Sequence, residues 1–176
     1  MISFETARPE QALKISDLVN SAYRGDSSKV GWTTEADLLG GQRTDEESIK
    51  NIILAEDNSI ELAIDSENAQ ILGLVHLKRE SHETLYFGML TVLPEAQSRG
   101  LGKLLIEHIE NCARKNKLKN IRISVINYRT ELIAYYERRG FKATGLFEPF
   151  PADNPLFGIP KVKDIKLLEF IKILNQ

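Results

Sequence analysis

The segment Gln97–Lys103, with the sequence Gln-Ser-Arg-Gly-Leu-Gly-Lys, is suited to binding a phosphate group. It follows a strand-like stretch that ends Leu90-Thr91-Val92-Leu93-Pro94, and it opens an amphipathic helix. The first N–H groups of a helix have no partner inside the helix, and together with the helix dipole they attract anions. Because Gly100 and Gly102 carry no side chain, a bound diphosphate can approach the backbone closely. The segment therefore predicts a site for a phosphorylated cofactor at the start of one helix.

The spacing of this segment excludes two well-known phosphate-binding motifs. A P-loop requires Gly where Gln97 stands, and Ser or Thr where Leu104 follows the lysine. A dinucleotide-binding fingerprint requires a third Gly where Leu105 stands. The spacing that fits is Gln-x-x-Gly-x-Gly between a strand and a helix. Taken alone, this pattern leaves open a helix start that has two glycines and no ligand.

A second pattern lies farther along the chain. Ile121–Val125 reads as a buried strand, and the run Thr130–Phe141 reads as a short helix that ends at Gly140 before an aromatic residue enters a new strand. In this order, the Gln-x-x-Gly-x-Gly loop and a Tyr four residues before Gly-Phe, here Tyr136, resemble the signatures of the GNAT (Gcn5-related) N-acetyltransferases. The resemblance covers nearly the whole chain in element order, with the specific motifs confined to Leu85–Phe141.

The resemblance implies an α/β fold in which a single domain spans residues 1–176. The expected GNAT fold is a mostly antiparallel, mixed and twisted sheet of about six to seven strands flanked by about four helices, splayed between the fourth and fifth strands. The patterns predict strands over Phe4–Arg8, Ser59–Asp65, Ile71–Arg79, Thr84–Leu93, Ile121–Val125 and Phe141–Phe147, and helices over Pro9–Tyr23, Asp45–Ala55, Gly100–Asn116 and from Thr130. Thr44 is the expected N-cap of the second helix, with Glu47 completing a capping box.

The C-terminal segment Asp164–Leu174 gives conflicting signals. Its apolar residues Leu167, Phe170, Ile171 and Leu174 fit helical spacing, so periodicity alone favours a helix. The GNAT resemblance requires a final strand beside the strand that begins at Phe141. We predict the strand.

The resemblance also implies a cofactor, acetyl-CoA, and the residues that hold it. Backbone groups of Leu90, Thr91 and Val92 are expected along the pantetheine arm, and an N–H group there is the expected donor to the oxyanion of the reaction. Many relatives carry Asn where this chain has Arg129, which leaves Arg129 to meet a phosphate instead. The residues expected at the CoA phosphates are those of the loop: Gln97, Ser98, Arg99, Gly100, Leu101, Gly102 and Lys103.

Acetyl transfer to an amine needs an acid for the departing thiolate and a base for the amine. The resemblance assigns the acid to Tyr136. Adjacent residues of a helix face about 100° apart, so only one of the two tyrosines can serve, and Tyr135 is predicted to be a packing residue. For the base, the strand Tyr86–Thr91 has no carboxylate, so Glu83 at its start and His76 on the preceding strand are the candidates, acting directly or through water. A water-mediated base, or an amine that arrives neutral, remains an alternative.

The acceptor is expected to bind away from the cofactor, beside the segment 23–43. Arg24, Trp32 and Glu35 are the predicted substrate-binding residues there, and the Pro- and Phe-rich stretch Phe147–Pro160 is a second candidate wall. The predicted function is acetyl transfer to the primary amine of a small molecule by direct attack in a ternary complex. The alternatives are a protein N-terminus or lysine as acceptor, and a CoA-binding regulatory module without catalysis.

The composition of the chain indicates which kinds of partner are not expected. With 42% hydrophobic and 27% charged residues the chain has an ordinary globular composition, and its net charge of −2 gives no reason to expect nucleic acid or anionic membrane as a partner. Cys112 is the single cysteine, so no internal disulfide and no metal site are expected. No apolar run approaches the length of a membrane span and no signal-like start is present, so a cytoplasmic location is expected. A homodimer is left open.

Overall fold

The computed structural model describes residues 1–175 and consists of nine strands and four α-helices within that range. In chain order these are β1 (Ile2–Thr6), α1 (Ala12–Tyr23), β2 (Leu39–Gly40), α2 (Glu46–Leu54), β3 (Asn58–Asp65), β4 (Gln70–Arg79), β5 (Thr84–Val92), α3 (Leu101–Lys115), β6 (Asn120–Ile126), α4 (Thr130–Glu137), β7 (Lys142–Pro149), β8 (Ile159–Pro160) and β9 (Lys166–Ile173). Most agree with the sequence-based spans to within one or two residues.

Seven strands form one mixed sheet in the order β1-β3-β4-β5-β6-β9-β7. All neighbouring strands run antiparallel except β5 and β6, which are parallel. The predicted fold class is therefore confirmed. The remaining two strands, β2 and β8, form a separate short ladder that the sequence patterns did not reveal.

The sheet opens between β5 and β6, the fourth and fifth strands of the sheet in chain order. Their pairing is limited to Thr84–Tyr86 against Asn120–Arg122, so among the described residues the rest of β5 has no strand partner on that side. On its other side β5 has a bulge: its register with β4 shifts after Gly88, and Met89 has a positive φ of 52°. The predicted splay between the fourth and fifth strands is confirmed.

Helices cover both faces of the sheet. On one face the buried side of α3, which includes Leu105 and Ile109, packs with Phe141 and Phe170. On the other face α1 and α2 pack against β3 and β4 through buried aliphatic residues: Ile15, Val19, Ile49, Ile60, Leu62 and Leu74. In the part of the chain that the structure describes, no helix is both long and apolar enough to cross a membrane.

Two local predictions have different outcomes. The N-cap of α2 is Asp45, whose Oδ1 accepts from the Ser48 N–H at 2.7 Å, while Thr44 is buried; the prediction of Thr44 as the cap is wrong by one residue. The predicted C-terminal strand is confirmed as β9, which pairs with β6 on one side and β7 on the other. Both edges of β9 are hydrogen-bonded, which a helix at that place could not achieve.

Candidate active site

The loop before α3 presents unpaired backbone donors. Ser98 and Gly100 have positive φ values of 64° and 82°, and this left-handed backbone turns the chain into the helix. Within the described residues, the N–H groups of residues 98–103 donate to no backbone carbonyl. The glycine spacing predicts such a helix start with unpaired donors, and anion binding there stays a prediction.

A cavity of about 220 Å³, here called the loop cavity, adjoins these donors. Eight of the residues predicted to bind the cofactor line this cavity: Gln97, Ser98, Gly100, Gly102, Lys103, Leu90, Val92 and Arg129. Trp32, Tyr135, Tyr136 and Arg139 also line it. Three other predicted residues do not line it. Leu101 is buried in the core, Thr91 is buried with its hydroxyl donating to the Met89 carbonyl at 2.9 Å, and Arg99 is exposed.

The Gln97 side chain ties the loop cavity to the segment after α1. Its Oε1 accepts from the Trp32 N–H at 2.9 Å, and its Nε2 donates to Thr33 Oγ1 at 2.9 Å and to the Val92 carbonyl at 3.1 Å. Close approach is possible because Gly31 has no Cβ: an added one would lie 2.5 Å from Gln97 Oε1. Gln97 thus positions the wall of the cavity through contacts within the protein.

A second cavity of about 180 Å³, here called the splay cavity, lies where β5 and β6 diverge. Residues 86–90 of β5 and 123–126 of β6 form two of its walls, and Arg24, Glu35, Arg43, Phe150 and Phe157 form the others. The residues common to both cavities are Tyr23, Leu90, Arg129, Leu132 and Tyr136. The two cavities therefore adjoin at the bulge of β5.

Tyr136 lies at this junction and is 5% exposed. Its ring packs edge-on against Phe87 and Phe141, with centroid separations of 5.9 and 5.6 Å. Burial raises the pKa of the Tyr136 hydroxyl far above its usual value of about 10, so the hydroxyl is protonated at neutral pH. It is available as a hydrogen-bond donor to either cavity.

Tyr135, predicted to be a packing residue, also lines the loop cavity. A Cβ on Gly102 would lie 2.6 Å from the Tyr135 hydroxyl, so this ring reaches the start of α3. Its ring centroid is 5.5 Å from that of Trp32, and the Arg139 guanidinium carbon lies 3.4 Å from it. Adjacent helix positions thus carry one tyrosine in the core and one beside the loop before α3.

The bulge in β5 is held by Tyr23, which sequence reasoning missed. The Tyr23 hydroxyl donates to the Leu90 carbonyl, and burial raises the pKa of this hydroxyl. Tyr23 is the last residue of α1 and follows the apolar stripe of that helix. Its position marks it as a core residue, and only the tertiary structure brings its hydroxyl to the strand.

Arg24, Glu35 and Arg129 form a buried ion cluster on the wall of the splay cavity. Glu35 Oε2 pairs with Arg24, and Glu35 Oε1 lies 3.3 Å from Arg129 Nη1. Arg24 also donates to the Phe157 carbonyl at 3.1 Å. The structure thus brings the predicted Arg24 and Glu35 together, whereas Trp32 lies in the loop cavity instead.

The structure brings neither candidate general base to the cavities. Glu83 lies just before β5, pairs with Lys119, and is roughly 23 Å along the strand from Leu90 at about 3.3 Å per residue. His76 hydrogen-bonds Asn58 Oδ1 at 2.8 Å, and burial lowers its pKa to about 4. Within residues 1–175 the one carboxylate lining either cavity is that of Glu35, and both of its oxygens are paired with arginines.

Solved structures share this architecture. An N-acetyltransferase from Staphylococcus aureus Mu50 aligns with a TM-score of 0.71 and 15% identity over 98% of this chain and 97% of its own. A GNAT family acetyltransferase from Elizabethkingia anophelis, solved with acetyl-CoA bound, gives 0.63 and 17% over 98% of both chains. The IAA acetyltransferase from Bacillus cereus ATCC 14579 gives 0.67 and 15% over 99% of this chain and all of its own. At these identities the likeness shows a common fold.

Sequence comparison gives the family. The uncharacterized protein YxbD of Bacillus subtilis (strain 168) is 26% identical over 82 residues, which is 47% of this chain and half of that curated relative. A family model described as "Acetyltransferase (GNAT) domain" matches residues 33–150, which include the loop before α3, the splay and Tyr136. The chain belongs to the GNAT acetyltransferase family.

Proposed function

We propose that this protein transfers an acetyl group from acetyl-CoA to the primary amine of a small molecule by direct attack in a ternary complex. The observation that carries the proposal is the meeting of the two cavities at Leu90 and Tyr136. A thioester entering from the loop cavity and an amine entering from the splay cavity reach each other there.

Strands before residue 33 and after residue 150 belong to the same sheet, which supports one domain over residues 1–176.

In this proposal the loop cavity holds acetyl-CoA. The N–H groups of residues 98–103 bind the pyrophosphate, assisted by Lys103. The pantetheine arm lies along the free side of β5, where the backbone of Leu90 and Val92 has no partner strand among the described residues. Arg99, which is exposed at the loop, binds the phosphate on the ribose of CoA. The family and the acetyl-CoA bound to the Elizabethkingia anophelis relative support this choice of cofactor.

The chemistry follows from the residues at the junction. The amine nitrogen attacks the thioester carbonyl carbon, the tetrahedral oxyanion is held by a backbone N–H at the bulge, and the C–S bond then breaks. A CoA thiol has a pKa of about 8.5, so the more weakly acidic Tyr136 stabilises the thiolate by a hydrogen bond rather than by full proton transfer. The proton of the amine leaves to water.

Positive charge around the splay cavity compensates for the lack of a free carboxylate base among the described residues that line it. Arg24, Arg43 and Arg129 outnumber Glu35 there, which leaves a net positive environment beside the acceptor. Positive charge lowers the pKa of a nearby amine, because it disfavours the ammonium form. The acceptor therefore reacts as the neutral amine without a dedicated carboxylate. The splay cavity has a volume of about 180 Å³, which suits a small acceptor, and Phe150 and Phe157 give it apolar walls.

Calorimetry with acetyl-CoA, CoA and desulfo-CoA tests the cofactor step. We expect binding by the wild type and by Lys115→Glu, an exposed charge reversal near the other end of α3, but none by Gly102→Glu. The Glu side chain would meet the Tyr135 hydroxyl and carry negative charge to the phosphate donors. Thiol release with a panel of amines then tests transfer. CoA binding without thiol release would favour the regulatory module, and absence of CoA binding by the wild type would refute the proposal.

A further inference from the structure

We propose that the acceptor carries an anionic group next to its amine, and that Arg129 and Arg43 bind this group in the splay cavity. The inference rests on the proposed function, which it deepens by naming the acceptor class: a small amino carboxylate with an apolar body. The evidence is which charged side chains lining the splay cavity are already paired and which still have unpaired donors.

The carboxylate in this cavity is already occupied. Both oxygens of Glu35 pair with guanidinium groups, one with Arg24 and one with Arg129, and its side chain is 11% exposed. Two guanidinium cations already neutralise this carboxylate, so its attraction for an acceptor ammonium is weak. Glu35 therefore positions the two arginines, and the contact with the acceptor falls to cationic groups.

All three arginines of the splay cavity retain unused donors. Arg24 Nε is buried without a partner in the described structure, but the Nη atoms of Arg24 already bind Glu35 and the Phe157 carbonyl. Arg129 is 9% exposed, yet its Nη2 is buried without a hydrogen-bond partner in the described structure. Arg43 is partly buried, lies 6.0 Å from the centre of the Tyr23 ring, and forms no ion pair within residues 1–175. A buried guanidinium nitrogen without an acceptor is costly, and a ligand carboxylate would satisfy it in the planar geometry that arginine favours.

The position of Arg129 sets where the anionic group lies in the acceptor. Arg129 borders both cavities together with Leu90 and Tyr136, the residues proposed to surround the reacting thioester. An anionic group bound by Arg129 is therefore separated from the reacting amine by few bonds, as in an α- or β-amino acid. The deeper wall contains Phe87, Ile123 and Val125, which suits an apolar side chain.

The test uses binding of reaction products, so it does not depend on turnover. With saturating CoA and in buffer without phosphate or sulfate, calorimetry compares N-acetyl-L-phenylalanine with N-acetylphenethylamine, which differ by the carboxylate alone. We expect the carboxylate compound to bind at least about tenfold more tightly. Equal binding, tighter binding of the neutral compound, or binding of neither to the CoA-loaded protein would overturn the inference.

Variants locate the effect. Arg129→Gln and Arg43→Gln should each reduce the preference for the carboxylate compound by at least about fivefold, and Arg43→Gln does so without disturbing the Glu35 ion pairs. Arg114→Gln, an exposed arginine on α3 outside both cavities, should keep the preference. If Arg129→Gln loses CoA affinity and keeps the preference, Arg129 serves the cofactor and the inference is wrong. Failure of thiol release with every amine would refute the transferase proposal while leaving this binding result to stand by itself.

Discussion

Replacing Tyr136 by Phe removes one hydroxyl and leaves the ring that packs against Phe87 and Phe141. A hydrogen bond to a charged group is worth about 1.5–3 kcal/mol, which corresponds to about a 10- to 150-fold fall in kcat if the hydroxyl stabilises the departing thiolate. Because the thiolate charge develops only during the reaction, the KM for acetyl-CoA should change little. Stability should be retained, since the lost group is polar and buried.

The assay is steady-state thiol release with an accepted amine, measured alongside urea denaturation. Tyr128→Phe is the matched control, because Tyr128 is exposed, donates to the Lys163 carbonyl at 2.8 Å, and lines neither cavity. A Tyr136→Phe enzyme with normal stability and a kcat within threefold of the wild type would refute the assignment. Tyr136 would then be a packing residue.

Three further predictions concern the supports of the site. Gln97→Ala removes three hydrogen bonds and should lower the free energy of unfolding by about 2–4 kcal/mol in urea titrations; a loss below about 0.5 kcal/mol would contradict the anchoring role. Tyr23→Phe frees the Leu90 carbonyl and should lower kcat/KM for acetyl-CoA about tenfold, whereas unchanged kinetics would mean that the bulge holds its shape without this bond. His76 has a folded-state pKa of about 4, below its usual 6.5, so the unfolded state takes up a proton first and stability falls as pH drops from about 6.5 to about 4. His76→Gln should make that loss smaller, and an unaltered pH dependence would show that His76 is not its source.

Several site residues were predictable because their signals are local. The glycine spacing at Gly100 and Gly102 depends on what a helix start needs in order to approach a phosphate, and the structure has unpaired N–H groups there. Tyr136 was singled out because a tyrosine four residues before Gly140-Phe141 resembles the second signature of the GNAT acetyltransferases. Each pattern spans only a few residues, so it can be recognised without knowledge of long-range contacts.

Other residues were not predictable, since their roles depend on contacts between distant segments. Tyr23 resembles any core residue on α1 until its hydroxyl is seen at Leu90, 67 residues away. Trp32 and Glu35 were predicted to share one substrate surface, yet they line different cavities. Arg43 carries no sequence signal that separates it from a surface charge.

The C-terminal segment illustrates the division between sequence and tertiary structure. By itself the sequence determined the glycine-containing start of α3 and most of the helices and strands, because these depend on glycine, on caps and on the spacing of apolar residues. The resemblance to the GNAT family singled out Tyr136. The apolar spacing of Lys166–Ile173 nonetheless fits a helix, and the segment is a strand. The segment is a strand because the edges of β6 and β7 supply hydrogen-bond partners on both sides of β9. The pairing of Glu35 with Arg129 was likewise decided only by the tertiary structure, because the two residues are 94 positions apart.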